Sequence, residues 1–309
     1  MTKLLVLITL FFLSTGISIC QTKKDIIIDA DTANEIDDLF AITRALIDPS
    51  INVLGITSSQ FHTSPNASNK SNIESHIINQ KLIKLLNADN TELAIGSNRP
   101  IKDSLNPIKS EASDLIVKYA SRFTENKKLT ILILGPCTNV ASAIIHDPSI
   151  VSKIEVYYVG FWHDKINNNY DKNEFNTRND RLALDLLLNT RNLSFNVMSA
   201  TTSQHLVFDK TNVFNKLKAN KGLGSYLIGR WENYDRWWTK KDPEKNKWIM
   251  WDLALIEAVI NPNLAVKKKF TTPTENLNRL INIFTYIDVE KMKANFWQKI
   301  ERLFKSEIH

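Results

Sequence analysis

Cysteine is scarce in this chain, with Cys20 and Cys137 the only two in 309 residues. If the first twenty residues are removed, Cys137 stands alone and no intrachain disulfide can form. That excludes the small secreted scaffolds that depend on a disulfide framework. No Pro/Gly/Ser-rich linker, repeat or low-complexity tract interrupts the sequence, which excludes a string of small modules. The net charge of +6 is dispersed, with Lys240-Lys241 and Lys267-Lys-Lys269 as short clusters. Neither interleaves with aromatic residues as a single-strand nucleic-acid groove does, so a solvated surface is expected and no nucleic-acid partner. Long apolar runs are also missing, apart from Leu4 to Leu13, which is too short to span a bilayer comfortably.

That run follows Lys3 and precedes Ser14-Thr-Gly16, the pattern of a signal peptide over residues 1–20. Ser18 and Cys20 are small residues suited to cleavage before Gln21. The alternative is lipid attachment at Cys20, although Ile19 departs from the small residue expected before a lipoprotein cysteine. A secreted or periplasmic protein is expected, with a membrane-anchored lipoprotein as the alternative. The remaining residues, 21–309, are enough for one large α/β domain.

What the chain has in abundance is acid near its start. Asp29, Asp31, Asp37 and Asp38 fall within ten residues, directly after the apolar run Ile26-Ile-Ile28. Like charges so close raise each other's pKa, and a hard divalent cation would relieve the cost. Period-two alternation sets Asp29 and Asp31 on one side of a strand end, and Asp37 and Asp38 open the next helix. Asp37 as a simple helix cap is the plainer reading, but it leaves the other aspartates unexplained.

Apolar strand-like runs recur at Val53-Leu-Gly-Ile56, Leu129 to Leu134, Ile154 to Val159 and Leu193 to Val197. Helical patterns lie between them, at Ile36 to Ile47, Ile73 to Leu86, Asp114 to Phe123, Asn139 to Ile145 and Arg181 to Asn189. Such alternation predicts an α/β fold: an open, mostly parallel, Rossmann-like sheet flanked by helices. Ligands bind such sheets beyond the carboxyl ends of strands. Three segments meet that description: the Asp29/Asp31 stretch, Gly135-Pro-Cys-Thr-Asn139, and the residues after Val159. A second polar cluster, Asn167-Asn-Asn169 with Glu174-Phe-Asn176 and Asp180, suits sugar hydroxyls, though an Asn run is also a common surface loop. The C-terminal third reads as mostly helical and concentrates Trp231, Trp237, Trp238, Trp248 and Trp251. Asp252, before the apolar stretch Leu253 to Ile260, is expected to cap a helix.

Taken in order, these motifs resemble the inosine-uridine-preferring nucleoside hydrolase family, from about Asp25 to a closing helix at Phe296 to Phe304. The resemblance implies a Ca2+ ion held by Asp31, Asp38, Asp252 and the backbone carbonyl of Leu134. It implies Asp31 as general base for a calcium-bound water, and Asp37, Asn168, Glu174 and Asn176 as ligands of ribose hydroxyls. Asp29 would orient these groups from behind. A nucleoside or related ribosyl substrate follows, and a homo-oligomer, as relatives often are.

Three departures qualify the match. Thr32-Ala-Asn-Glu-Ile36 is two residues longer than the family's turn, so it must bulge to return Asp38 to the cation. His62 falls nearest a position where the family carries a substrate-binding Asn. Trp251 stands where many members have a His that assists the leaving base, and Trp cannot protonate a nitrogen. Trp251 could stack on a base, as could Tyr234, Trp237 or Trp238, or these rings belong to the core. Two rival readings remain. One is a haloacid-dehalogenase-like phosphohydrolase with Asp29 as nucleophile in Asp29-Ala-Asp-Thr32, although no later strand carries the magnesium-binding Asp pair. The other is a non-catalytic nucleoside or sugar binder.

Overall fold

The computed structural model describes residues 23–306, apart from residue 66 and residues 236–239. The signal-peptide segment, Cys20, Trp237 and Trp238 lie outside the described residues. The strands are β1 (Lys24–Ala30), β2 (Ile51–Ser58), β3 (Glu92–Ile95), β4 (Leu129–Ile133), β5 (Ile154–Gly160), β6 (Trp162–Asp164), β7 (Asn169–Asp171), β8 (Ser194–Ser199), β9 (Val207–Asp209), β10 (Lys247–Ile249), β11 (Ala265–Thr271) and β12 (Leu280–Ile287). The helices are α1 (Asp37–Leu46), α2 (Ser71–Leu85), α3 (Glu111–Ala120), α4 (Thr138–His146), α5 (Phe175–Asn179), α6 (Arg181–Asn189), α7 (Ala200–Ser203), α8 (Lys210–Leu217), α9 (Leu223–Glu232), α10 (Trp251–Ile260) and α11 (Val289–Ser306).

Eight strands form one sheet in the order β11-β12-β8-β5-β4-β1-β2-β3. All neighbours are parallel except β11, which runs antiparallel to β12 at one edge. The chain starts at β1, steps outward through β2 and β3, then returns to place β4 on the other side of β1. The strand order therefore reverses between β1 and β4, where their following segments diverge and leave a crevice.

Both faces of the central strands are covered, so residues alternate between two apolar layers rather than between core and solvent. Ile26, Ile28, Leu132 and Val159 pack with Phe40 of α1, Leu82 of α2, Leu255 of α10 and Phe296 of α11. Ile27, Ile131, Ile133 and Tyr158 pack on the other side with Ile116 of α3, Val140 of α4 and Leu187 of α6. The expected strands and helices are present, within a few residues of their predicted ends, except that the closing helix expected at Phe296 to Phe304 begins earlier, at Val289. The C-terminal third differs from expectation, because β11 and β12 complete the sheet there. β11, Ala-Val-Lys-Lys-Lys-Phe-Thr, is largely exposed and interrupted by charge, which hides the strand period while guarding a sheet edge. Among the described residues no helix is long and apolar enough to cross a membrane.

A buried ion pair fixes α1 against α10. Arg44 is 1% exposed, and its Nη1 and Nε donate to Asp48 Oδ2 at 2.6 Å and Glu257 Oε1 at 2.5 Å. Lys299 of α11 adds a contact to Asp48 at 3.1 Å. This clamp sets the register of two helices whose first turns both carry aspartates.

Candidate active site

A cavity of about 640 Å³ opens at the carboxyl ends of β1, β4 and β5. Asp31, Asp37, Asp38, Leu134, Glu174, Asn176, Trp251 and Asp252 all line it. The structure thus gathers eight of the sequence-predicted residues from five separate segments.

The long turn after β1 is pinned in place by hydrogen bonds. Asn34 N–H donates to the Asp31 carbonyl at 2.7 Å, Thr32 Oγ1 donates to Asn79 at 2.7 Å, and Ala33 N–H reaches Ser75 at 3.3 Å. Asp37 and Asp38 then enter the first turn of α1. The residue at the cap position is Ile36, with no side-chain cap bond, so Asp37 is not the simple cap of its own helix. Its Oδ2 accepts instead from the backbone N–H of Asp252 at 3.2 Å. Asp252 likewise sits inside the first turn of α10, after Met250 in the cap position, correcting the expectation that it caps.

Ligand oxygens of Asp37, Asp38 and Asp252 all lie within 4.8 Å of one another, and all three side chains are buried. Burial pushes Asp38 and Asp252 well above the carboxylate range, and neighbouring aspartate charges push them further. Asp31 is raised in the same way, by burial first and then by the charges of Asp37, Glu35 and Glu174. Burial holds Asp37 at about 6, with its hydrogen bonds opposing. Asp31 Oδ2 and Asp38 Oδ1 are buried without a hydrogen-bond partner. Buried carboxyl oxygens left unpaired among like charges are what a hard cation would satisfy, so the donor set fits one. Gly135 permits this closeness, since a Cβ there would lie 2.8 Å from Asp31 Oδ1 and 2.5 Å from Ser59 Oγ.

Asp29 lies beneath the cavity and does not line it. The strand ends at Ala30, so the predicted alternation stops one residue short of Asp31. Asp29 Oδ1 accepts from Thr57 at 2.7 Å and Asn139 at 2.8 Å, and burial raises its pKa to about 6. Its backbone carbonyl accepts from Leu134 N–H at 2.8 Å, linking β1 to the β4 exit. Leu134's own carbonyl accepts from Asn176 Nδ2 at 2.6 Å. Glu174 caps α5 through the N–H groups of Asn176 and Thr177, both at 2.9 Å, and burial raises its pKa.

Two predicted residues are elsewhere. Asn168 occupies the β6–β7 turn at φ 54°, and its amide donates to the Thr271 carbonyl at 3.1 Å and hydroxyl at 2.9 Å. Asn173, adjacent to Glu174, lines the cavity instead. Within the Asn-rich loop, nothing in the sequence separated one amide from another. His62 sits outside the cavity lining, its ring against Gln60 Oε1 at 2.6 Å.

The aromatic ambiguity resolves residue by residue. Tyr234 and Trp231 are core, with ring centroids 4.7 and 5.3 Å from Trp248. Trp248 reaches the cavity and donates its indole N–H to Glu35 Oε2 at 3.1 Å. Trp251 is half-buried in the cavity wall and meets Trp162 edge-to-face, centroids 5.9 Å apart. Sequence reading assigned no role to Trp162, Glu35, Arg178 or Lys247, which also line the cavity. For Trp162 a signal existed in its place just past the end of β5, at the predicted rim.

The family model for the inosine-uridine preferring nucleoside hydrolase matches residues 26–295. Uridine nucleosidase 1 of Arabidopsis thaliana is 26% identical over 268 residues, covering 80% of this chain and 76% of that protein. Among solved structures, a plant nucleoside hydrolase superposes with a TM-score of 0.71 at 17% identity, covering 89% of this chain and 98% of its own. A purine-preferring ribonucleoside hydrolase from Gardnerella vaginalis gives 0.69 at 17% identity, covering 91% and 99%. At that identity the superpositions establish the fold.

Proposed function

The chain belongs to the inosine-uridine preferring nucleoside hydrolase family, and from that premise we propose that it hydrolyses the N-glycosidic bond of a ribonucleoside or related ribosyl compound with the help of Ca2+. The observation that carries the finer reading is the meeting of Asp252 with Asp37 and Asp38, residues more than 200 positions apart, in one buried cluster.

In this reading Asp38 and Asp252, with Asp31 beside them and the Leu134 carbonyl, hold the cation. Bound calcium would polarise the attacking water and anchor ribose hydroxyls. Asp31 takes the water's proton at Oδ2, the oxygen with no protein partner. Asp37, Glu174 and Asn176 fix the sugar, and good alignment is worth up to roughly 7–11 kcal/mol of barrier. The surrounding carboxylates favour the positive charge that grows on the anomeric carbon. Asp29, buried against Thr57 and Asn139, supports the floor of the site. Its place beneath the cavity deprives the phosphohydrolase reading of its nucleophile.

The test is ribose release from a panel of purine and pyrimidine ribonucleosides, with calcium and after chelation. Calcium-dependent release, abolished in Asp31→Asn, is expected. Binding of nucleosides without any release by the calcium-loaded protein would replace this reading with that of a binder.

A further inference from the structure

A second cavity, of about 550 Å³, lies past the end of β8, between β12 and the β6–β7 hairpin. That volume is in the range of small-molecule sites. Trp162 lines both cavities. Asn168, turned away from the first cavity, helps to build the second.

His163 lines this second cavity and is 4% exposed, its ring held by Tyr170 and Phe270 with centroids 4.8 and 4.6 Å away. Its Nε2 meets Asn168 Oδ1 at 3.0 Å. The other end of that amide settles its orientation, because Asn168 Nδ2 donates to the Thr271 carbonyl, which can only accept. Nε2 therefore carries the ring proton. Nδ1 is left as an acceptor, without a partner among the described residues. Burial lowers the pKa of the ring and keeps it neutral, against the opposing pull of Asn168 and Asp164. In the same wall, Thr201 Oγ1 accepts from the His163 backbone N–H at 2.9 Å, and its own O–H finds no acceptor among the described residues.

The rest of the wall is largely aromatic, from Trp162, Tyr170 and Phe284. Charge at the lining is nearly balanced, Asp164 and Asp171 against Lys165, so no strong field selects an ion. A sugar hydroxyl both donates and accepts, so two neighbouring hydroxyls match a fixed donor and a fixed acceptor. The C–H face of the same sugar finds a large apolar surface in the aromatic rings.

We propose that this second cavity binds the ring of an uncharged carbohydrate, with Thr201 donating to one hydroxyl and His163 Nδ1 accepting from another. The site stands apart from the proposed hydrolysis and does not depend on it.

The test is NMR titration of the full chain, labelled with 15N at histidine and kept free of calcium. The probes are ribose, xylose, glucose, galactose and mannose. At least one sugar should shift the His163 Nδ1 resonance as that atom accepts a hydrogen bond. No shift with any of the five overturns the proposal, and so does a shift produced by uracil or hypoxanthine but by no sugar. His163→Phe keeps the ring and removes the acceptor, and it should weaken binding of the responding sugar by about tenfold or more. Unchanged sugar affinity in that variant also overturns the proposal. Should the variant fail to fold, the Nδ1 shift in the unmodified protein decides the matter alone.

Discussion

The backbone N–H of Asp252 donates to Asp37 Oδ2 at 3.2 Å, so the first turn of α10 is capped by a carboxylate from the first turn of α1. Two positive helix ends thus face the same acidic cluster, which eases the crowding of its charges. Removing one member should therefore unsettle the others. Asp252→Asn is expected to weaken calcium binding by more than the roughly 10–100-fold typical of a supporting residue. Isothermal titration calorimetry measures this directly, and unchanged affinity would remove Asp252 from the cation site.

Asp31 and Asp29 sit two residues apart yet differ in role. Asp31→Asn should lower kcat by roughly 10²–10⁴-fold while substrate still binds. Asp29→Asn should act through calcium affinity, about 10–100-fold, with turnover restored as calcium is raised. Saturating calcium during steady-state assays separates the two.

The acidic cluster also predicts the sign of a pH effect. Asp29 and Asp37 have folded pKa values of about 6 against 3.8 for the unconstrained group, and Asp31, Asp38 and Asp252 are raised as well. The calcium-free fold therefore binds more protons than the unfolded chain between pH 4 and 6. For Asp29 and Asp37 that stability is full below pH 4 and is lost as pH rises through about 6. Calcium should offset the loss, so its effect on Tm should be larger at pH 7 than at pH 5, as thermal scans with calcium or chelator would show. An equal shift at both values would contradict the account.

Arg44→Met would strand Glu257 as a buried charge between α1 and α10, while Asp48 keeps Lys299 and Ser50. Losing one partner of such a pair costs about 3–5 kcal/mol. Urea denaturation is the measurement. The double substitution Arg44→Met with Glu257→Leu should recover part of that loss, and calcium affinity should fall with the helix register in the single variant.

Asn173→Ala should raise KM about tenfold, the worth of one well-placed hydrogen bond of roughly 1.4 kcal/mol. Asn168→Ala, whose amide is spent on Thr271, should leave nucleoside kinetics within twofold. The reverse outcome would return Asn168 to the sugar.

Much of this molecule was legible beforehand because its signals are local. Ile26-Ile-Ile28 and Leu129 to Ile133 read as strands because buried parallel strands are apolar on both faces. Asp29, Asp31, Asp37 and Asp38 announced themselves by crowding alone. β11 was missed because Lys267-Lys-Lys269 breaks the apolar period at an exposed edge. Asn168 was misplaced because neighbouring amides look alike until a turn with positive φ turns one of them toward Thr271.

Sequence by itself determined the strand–helix alternation, the acidic stretch and the order of the motifs, since each depends on residues near one another in the chain. Tertiary structure alone decided which aspartates share a cluster, which tryptophans wall the cavity and which support the core. Those outcomes depend on strand order reversing between β1 and β4 and on the Arg44–Glu257 clamp setting α1 against α10. Distances between residues more than 200 positions apart are fixed by packing, which no local pattern encodes.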